Sequence, residues 1–199
     1  MRIKEGNKEA DILKAAMKVF AKSGYHSAKI SKIAEVADIA TGSIYVYFKS
    51  KEHILLRLFD DIWHKLYNSL LLLANRNDLS SVEKFDAMID LLFDNFTENS
   101  ATAIVIANEQ NQLLTREKIK FTEYYEKFLD LGEKIIREGI SRKVFNPNFN
   151  IDIFRHYMLG AFRDFIREWA VNTDRTKFNT IRENIKFLTK YGILNHQKK

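Results

Sequence analysis

One segment carries most of the information in this chain, and it has the sequence Thr41-Gly42-Ser43-Ile44-Tyr45-Val46-Tyr47-Phe48-Lys49-Ser50-Lys51. It predicts a short helix, a break and the start of a second helix. Thr41 is a suitable N-cap, because its side-chain oxygen can accept hydrogen bonds from the free amides of the first turn. At about 100° per residue, Ile44 and Phe48 lie on one side of the short helix and are expected to face a core. The other face then carries a glycine, hydroxyl groups and two phenols.

Two lysines follow the short helix, and the second is in an unusual place. Ser50 can cap the next helix, which puts Lys51 in its first turn, where the helix dipole disfavours a cation. We interpret Lys51 as a phosphate ligand, because a helix N-terminus already attracts phosphate. Val46 lies about 180° from the buried stripe and is expected to point outward, where it could contact a thymine methyl group. The alternative is an ordinary exposed valine.

Composition indicates a globular helical protein. The 199 residues are 46% hydrophobic and 29% charged, with one proline and seven glycines, which favours long helices. There is no cysteine, so disulfides and thiol chemistry are excluded. The N-terminus lacks an apolar signal core, and the longest apolar run, 70–74, is too short to span a membrane. We therefore expect a cytoplasmic protein with no membrane partner.

Charge is concentrated near the N-terminus. Residues 1–53 contain ten Lys or Arg and six Asp or Glu, a balance of +4, which leaves +2 of the total +6 for the rest. A basic module on a near-neutral body is typical of nucleic-acid binders. A solvated basic face is the equally acceptable alternative.

Helical periodicity extends through the whole chain. An amphipathic helix over 8–22, a short helix near 29–37 with Ser27 or Ser31 as its cap, and a turn at 38–40 lead into the first segment. Two short helices joined by a tight turn form a helix-turn-helix, whose second helix is the recognition helix. A Ser80-Ser81-Val82-Glu83 capping box begins a helix that ends near Asn99, and Asn150 caps another at 151–171. The other predicted helices are 51–74, 101–112, 115–138 and 175–191.

These patterns predict an all-α protein. We expect an N-terminal three-helix helix-turn-helix DNA-binding domain at 1–53 and a C-terminal helical domain at 54–199.

Residues 8–60 resemble the N-terminal domain of the TetR family of bacterial transcription regulators. The matching residues are Ile12-Leu13, Ala15-Ala16, Phe20, Gly24-Tyr25, Ile33-Ala34, Ala37, Gly42 to Phe48, Lys51 and Leu55. Asp38 stands where the family usually has glycine, and aspartate tolerates a left-handed conformation better than most residues. The resemblance, with the exposure of Val46, implies a double-stranded DNA operator contacted by Lys29, Ser31, Thr41, Gly42, Ser43, Tyr45, Val46, Tyr47, Lys49 and Lys51. The alternatives are packing of the two tyrosines against the first helix and a merely solvated Lys49.

In that family the C-terminal region binds a small effector and forms a homodimer through its last two helices. The resemblance therefore implies a dimer interface made by Phe154, Met158, Phe162, Phe165, Ile181, Ile185 and Leu188. It also implies a pocket lined by Phe85, Met88, Leu92, Phe96, Tyr124, Phe128, Arg163 and Arg167. A plain helical core is the alternative for the aromatic residues, and ion pairing with nearby acids is the alternative for the arginines.

Some stretches also resemble a subgroup that controls fatty-acid degradation and responds to long-chain acyl-CoA. They are Gly24-Tyr25-His26, Ser31 to Ala34, Ile44 to Lys49, and the spacing of Gly139, Gly160 and Trp169. A small hydrophobic effector, with no required cofactor, is the expectation.

Catalysis and scaffolding are the competing function classes. The five histidines form no HxxxH or HExxH pair, and no GxGxxG, P-loop or nucleophile elbow is present, so we expect neither an enzyme nor a metal site. The alternative is a helical enzyme or binding protein that acts on an acyl or lipid ligand without DNA. The segment 41–51 favours DNA binding, and the family resemblance implies a repressor that is released by a small ligand.

Overall fold

The computed structural model describes residues 8–97, 100–116, 122–172 and 174–193. Within these ranges the chain is helical without a β-strand, which confirms the predicted all-α class. The helices are α1 (Lys8–Ser27), α2 (Ile30–Val36), α3 (Thr41–Tyr47), α4 (Lys51–Ala74), α5 (Ser81–Thr97), α6 (Ser100–Arg116), α7 (Thr122–Ser141), α8 (Ile151–Val171) and α9 (Arg175–Ile193). None of these helices is long and apolar enough to cross a membrane.

The N-terminal helices form the predicted helix-turn-helix. Helix α1 packs against α2 and the start of α4, and α2 packs against α3. Gly24 interrupts α1 with φ 70°, a left-handed value that suits a residue without a Cβ atom. Asp38 has φ 54° in the turn between α2 and α3, so the aspartate takes the left-handed conformation expected of it.

Three predicted helix caps are present. The Ser50 hydroxyl accepts a hydrogen bond from the His53 amide at 3.1 Å. Ser80 and Glu83 form the reciprocal capping box, with distances of 3.2 and 2.8 Å. The Asn150 side chain accepts from the amide of Ile153 at 2.9 Å. These polar contacts fix where α4, α5 and α8 begin.

Two predicted caps are wrong. Lys29 is the N-cap of α2, rather than Ser27 or Ser31, and Ala40 is the N-cap of α3, rather than Thr41. Neither cap residue makes a side-chain capping hydrogen bond. Both short helices depend on packing for their position, because the local sequence supplies no strong start signal.

The C-terminal helices enclose an aromatic core. Helix α4 packs against α5 and α7, α6 packs against α8 and also against α1, and α9 packs against α5. The predicted helices 101–112 and 115–138 have different bounds here: α6 extends to Arg116, and α7 covers Thr122–Ser141. Residues 117–121, which the second prediction included, lie outside the described ranges.

A row of ion pairs joins α9 to α5. The carboxylates of Asp86, Asp90 and Asp94 are spaced four residues apart along α5, and the cations of Arg182, Lys186 and Lys190 are spaced the same way along α9. Arg182 bonds to Asp90 and Asp94 at 2.5 and 2.6 Å, Lys186 pairs with Asp90 at 2.5 Å, and Lys190 pairs with Asp86 at 2.5 Å. This charge ladder holds α9 against its own subunit.

Candidate functional site

Helix α3 has one buried face and one exposed face, and both carry apolar side chains. Ile44 and Phe48 are buried, as predicted, and Val46 is 78% exposed on the opposite side. The phenols of Tyr45 and Tyr47 are also exposed rather than packed into the core. A Cβ atom built on Gly42 would meet nothing within 4 Å, so the start of the helix is open to close approach. This arrangement can enter a DNA groove.

Other predicted DNA contacts lie at the ends of the short helices. Lys29 and Ser31 are exposed at the start of α2, and Thr41 is exposed at the start of α3. Ser43 is half-buried. Lys49 is exposed in the break between α3 and α4, and its backbone amide donates to Nδ1 of His53 at 3.2 Å.

Lys51 lies in the first turn of α4, as predicted, but its ammonium group contacts backbone carbonyls of its own chain. Its ammonium group donates to the backbone carbonyls of Tyr25, His26 and Ala28, at 2.6, 3.0 and 2.9 Å, and lies 4.6 Å from the centre of the Tyr25 ring. Three carbonyls use all three N–H donors of a lysine. The physical reason is the dipole of α1, whose carbonyl end attracts a cation. In this structure Lys51 caps the end of α1 and has no donor left for a phosphate.

A buried carboxylate also contacts the C-terminal end of α1. The backbone amide of Tyr25 donates to Oε1 of Glu109 at 3.0 Å, and Glu109, on α6, is only 5% exposed. Sequence reasoning missed this contact. The available signal was a glutamate one helical turn beyond the buried Ile106, because a charged side chain on a buried helical face requires a partner.

Two adjoining cavities lie inside the C-terminal domain. The smaller one, named the inner cavity, has about 90 Å³ and is lined mainly by apolar side chains of α5, α7 and α8, among them the predicted Met88, Leu92 and Phe128. The larger one, named the outer cavity, has about 230 Å³ and includes the predicted Phe96 and Arg163. The two cavities share Trp63, Leu159 and Phe162. Sequence reasoning missed these shared residues as pocket residues, because their convergence depends on how α4 and α8 are packed.

Three predicted pocket residues lie away from both cavities. Phe85 is buried in the core, with ring centres 5.9 Å from Phe145 and 6.0 Å from Phe154. Tyr124 stacks on His64 at 4.2 Å on the outer side of α4 and α7. Arg167 is exposed on α8. Helical periodicity identifies a buried face, but it does not separate residues that fill the core from residues that border a cavity.

Polar groups border the cavities at their edges. Arg155 lies beside the inner cavity and bonds to Glu126 at 2.7 Å and Glu133 at 3.5 Å. Burial lowers the pKa of Arg155, but these two carboxylates more than offset it, so its pKa is raised and the guanidinium stays charged. Tyr125 borders the outer cavity, and burial, together with the charge of Glu126, raises the pKa of its phenol.

The predicted dimer-interface residues differ in how far they are buried in their own subunit. Phe162 is 9% exposed, with ring centres 5.4 Å from Phe93 and 5.6 Å from Phe96, and Met158 borders the inner cavity. The side chains of Phe154, Phe165, Ile181 and Ile185 are half-buried. The interface prediction is therefore corrected for Phe162, because α8 turns this side chain toward α5.

A different apolar stripe faces outward on α8 and α9. Of the predicted interface residues, Leu188 is 62% exposed. The other exposed large apolar residues of this stripe are Ile153, Tyr157, Phe187 and Tyr191. Ile153, Tyr157 and Leu188 border an open groove of about 520 Å³. Across the described ranges, no group of three His, Cys, Asp or Glu side chains could hold a metal ion.

Comparison with known families agrees with this geometry. The model described as "Bacterial regulatory proteins, tetR family" matches residues 12–58, and the model described as "YsiA-like protein, C-terminal region" matches residues 72–191, more than half of the chain. The chain belongs to the TetR family of bacterial transcriptional regulators. The first match spans the helix-turn-helix, and the second includes the described residues that border the two cavities, apart from Trp63 on α4.

Two relatives and one solved structure are informative. The fatty acid metabolism regulator protein of Bacillus subtilis is 27% identical over 94% of this chain and 96% of its own length. The HTH-type transcriptional repressor KstR2 of Mycolicibacterium smegmatis is 26% identical over 74% of this chain and 72% of its own. The crystal structure of the transcriptional regulator FadR from Bacillus subtilis in complex with stearoyl-CoA has a TM-score of 0.77 and 26% identity, covering 90% of this chain and 96% of that one. These relatives are transcriptional regulators rather than enzymes.

Proposed function

We propose that this TetR-family regulator is a repressor that leaves its DNA operator when a long-chain acyl-CoA binds. The observation that carries the proposal is the pair of adjoining cavities, an apolar inner one and an outer one bordered by His156 and Arg163. The alkyl chain of an acyl-CoA requires apolar surroundings, and its thioester and CoA part require polar groups where they leave the apolar cavity. The stearoyl-CoA complex of the FadR relative supports this class of ligand.

Helix α3 would supply the sequence contacts. Its outward side chains, those of Tyr45, Val46 and Tyr47, combine phenol hydroxyls with one apolar group, a set that suits base edges and thymine methyls in a major groove. The exposed Lys29 and Lys49 would contact phosphates.

A second copy of the chain would bind through the exposed stripe of α8 and α9. This pairing would place two α3 helices in successive major grooves, about 34–36 Å apart. The stripe includes Tyr157 and Leu188, which are large apolar side chains with high exposure. An apolar patch of this kind is typical of a protein interface.

The contact between α6 and α1 would transmit the signal. Ile106 borders the outer cavity, and Glu109, one helical turn later, holds the amide of Tyr25. A ligand that displaces α6 would therefore move the end of α1 and the helix-turn-helix attached to it. The ligand acts only if it binds the two conformations with different affinity.

Binding to DNA selected from random duplexes tests the proposal. The dissociation constant should rise by about 10³–10⁵ between 50 and 200 mM salt if six to ten phosphates are contacted. Stearoyl-CoA should release the duplex and be recovered chemically intact. A flat salt response would reject the DNA-binding function, and hydrolysis or transfer of the acyl group would indicate an enzyme.

A further inference from the structure

The indole N–H of Trp63 is a buried hydrogen-bond donor on a side chain that borders both cavities. Trp63 is 4% exposed and borders both the inner and the outer cavity. No atom in the described part of the chain accepts a hydrogen bond from its Nε1. A buried donor without an acceptor is destabilising, and because the side chain that carries it borders both cavities, it points to an acceptor on a ligand that reaches the indole.

Neighbouring rings fix the orientation of this indole. The Tyr125 ring centre lies 4.7 Å from that of Trp63, in an edge arrangement, and the Phe128 ring centre lies 5.5 Å away. Because both rings belong to α7, the indole is held between α4 and α7 and cannot turn freely. The donor is therefore preorganised, which lowers the entropic cost of a hydrogen bond to a ligand.

The position of Trp63 matches one chemical group of an acyl-CoA. Apolar side chains make up most of the inner cavity, and its two charged residues, Arg155 and Glu133, pair with each other at 3.5 Å. The outer cavity adds His156 and Arg163. An acyl-CoA has the same order of parts: an alkyl chain, a thioester carbonyl and a polar arm. The carbonyl oxygen is the acceptor at the boundary between the apolar and the polar part.

We propose that Nε1 of Trp63 donates a hydrogen bond to the thioester carbonyl oxygen of a long-chain acyl-CoA, with the alkyl chain in the inner cavity. This inference rests on the proposed function and adds a specificity-determining residue to it. Trp63 would then distinguish an acyl chain from an alkyl chain of the same length.

The second buried indole of the chain provides a matched control. Trp169 is also buried, and no described atom accepts from its Nε1. Its ring centre lies 4.6 Å from that of Phe178, and Trp169 is not among the residues that border either cavity. Replacing Trp169 removes the same chemical group from the core and leaves the proposed ligand contact intact.

Two probes that differ only in the carbonyl test the inference: palmitoyl-CoA, and S-hexadecyl-CoA, in which a methylene replaces the carbonyl. We expect the wild type and Trp169→Phe to bind palmitoyl-CoA roughly tenfold more tightly than the thioether, the size expected for one buried hydrogen bond. Trp63→Phe should bind both probes equally. Equal binding of both probes by the wild type, or an unchanged preference in Trp63→Phe, would overturn the inference alone. Binding of neither probe by the wild type would overturn the proposed ligand, and the inference with it.

A spectroscopic measurement does not depend on the folding of Trp63→Phe. The ¹⁵N-labelled protein has two indole N–H signals, because the chain has two tryptophans. The signal that persists in Trp169→Phe belongs to Trp63. Palmitoyl-CoA should shift this signal downfield, and the thioether should leave it closer to its ligand-free position. Identical shifts with both probes would overturn the inference.

Discussion

The backbone amide of Tyr25 donates to the carboxylate of Glu109 at 3.0 Å, while the carbonyl of the same residue accepts from Lys51 at 2.6 Å. Tyr25 is therefore held by an anion from α6 at its N–H and by a cation from α4 at its carbonyl. Each charge meets the backbone group that it stabilises. The end of α1 is tied to α4 and α6, two helices that also border the outer cavity.

Glu109→Leu should weaken the coupling between ligand and DNA. The substitution removes the acceptor for the Tyr25 amide while leaving the cavity residues in place. We expect acyl-CoA to bind with nearly unchanged affinity, but to lower the affinity for the operator much less than it does in the wild type. Parallel titrations of ligand binding and operator binding measure the two effects.

Glu109→Gln is the control, because the amide oxygen can still accept from Tyr25. It should respond to the ligand almost as the wild type does. If Glu109→Leu releases DNA at the same ligand concentration as Glu109→Gln, the contact does not transmit the signal.

Substitutions of Lys51 and Lys49 should differ in their effects on stability and on the salt dependence of DNA binding, although the two lysines are only two residues apart. Lys51→Met removes the cation from three carbonyls and should lower the free energy of unfolding by about 1–2 kcal/mol. It should weaken cognate and random DNA alike by disturbing α1, with an unchanged salt slope. Lys49→Ala should leave stability unchanged and lower the salt slope by about one per subunit. Thermal unfolding and salt titrations separate the two, and a lower slope for Lys51→Met would restore its role as a phosphate ligand.

In the helix-turn-helix, the buried positions and the turn could be predicted because their signals are local, but the starts of α2 and α3 could not, because neither N-cap makes a side-chain hydrogen bond. The burial of Ile44 and Phe48 follows from helical spacing, and the left-handed turn at Asp38 follows from residue type. The partner of Lys51 could not be found this way. A cation at the unfavourable end of α4 is unusual on sequence grounds alone, but the carbonyls that explain it belong to α1, some 25 residues earlier in the chain.

The C-terminal helices were less predictable, because which face of each helix is buried depends on tertiary packing. Phe162 and Leu188 are both apolar residues at helical spacing, yet one is in the core and the other is exposed. The charge ladder between α5 and α9 determines which side of α9 turns inward. Those ion pairs join residues about 90 to 100 positions apart, so no local pattern reveals them.

Val46→Ala should change sequence preference without changing stability. The side chain is almost fully exposed, so its loss removes little buried surface. We expect a reduced preference for thymine at one position of each half-site, measured with duplexes that carry single substitutions. Replacing that thymine by uracil should weaken wild-type binding and barely affect the variant. An equal response of both proteins would show that Val46 does not contact the methyl group.

Gly132→Ala should narrow the inner cavity. A Cβ atom at this position would lie 3.3 Å from Sδ of Met88, which borders the cavity. The flexible methionine should move into the space of the ligand, so affinity should fall most for the longest acyl chains. The double variant Gly132→Ala/Met88→Ala should recover long-chain binding. Calorimetry with acyl-CoAs of increasing chain length measures the affinity of both variants. If the double variant does not recover long-chain binding, Gly132→Ala acts through the backbone of α7.

Leu188→Glu and Phe162→Ala should separate dimerisation from folding. A charge in the exposed stripe should convert the proposed dimer into a folded monomer, as measured by analytical ultracentrifugation. Phe162→Ala should cost about 3–5 kcal/mol of stability through an internal cavity and leave the association of the remaining folded protein unchanged. The opposite pattern would return Phe162 to the interface and remove Leu188 from it.

The inner cavity of about 90 Å³ is far smaller than a long alkyl chain, so the proposed acyl chain would enter only a widened form of the domain. If that form is a minor population, the measured dissociation constant equals the intrinsic one divided by the fraction of molecules already widened. Substitutions that tighten the core far from the ligand would then weaken binding without altering a single ligand contact. Conversely, a loosened core would give a more sensitive sensor, so affinity and thermal stability should change in opposite directions across a series of core variants.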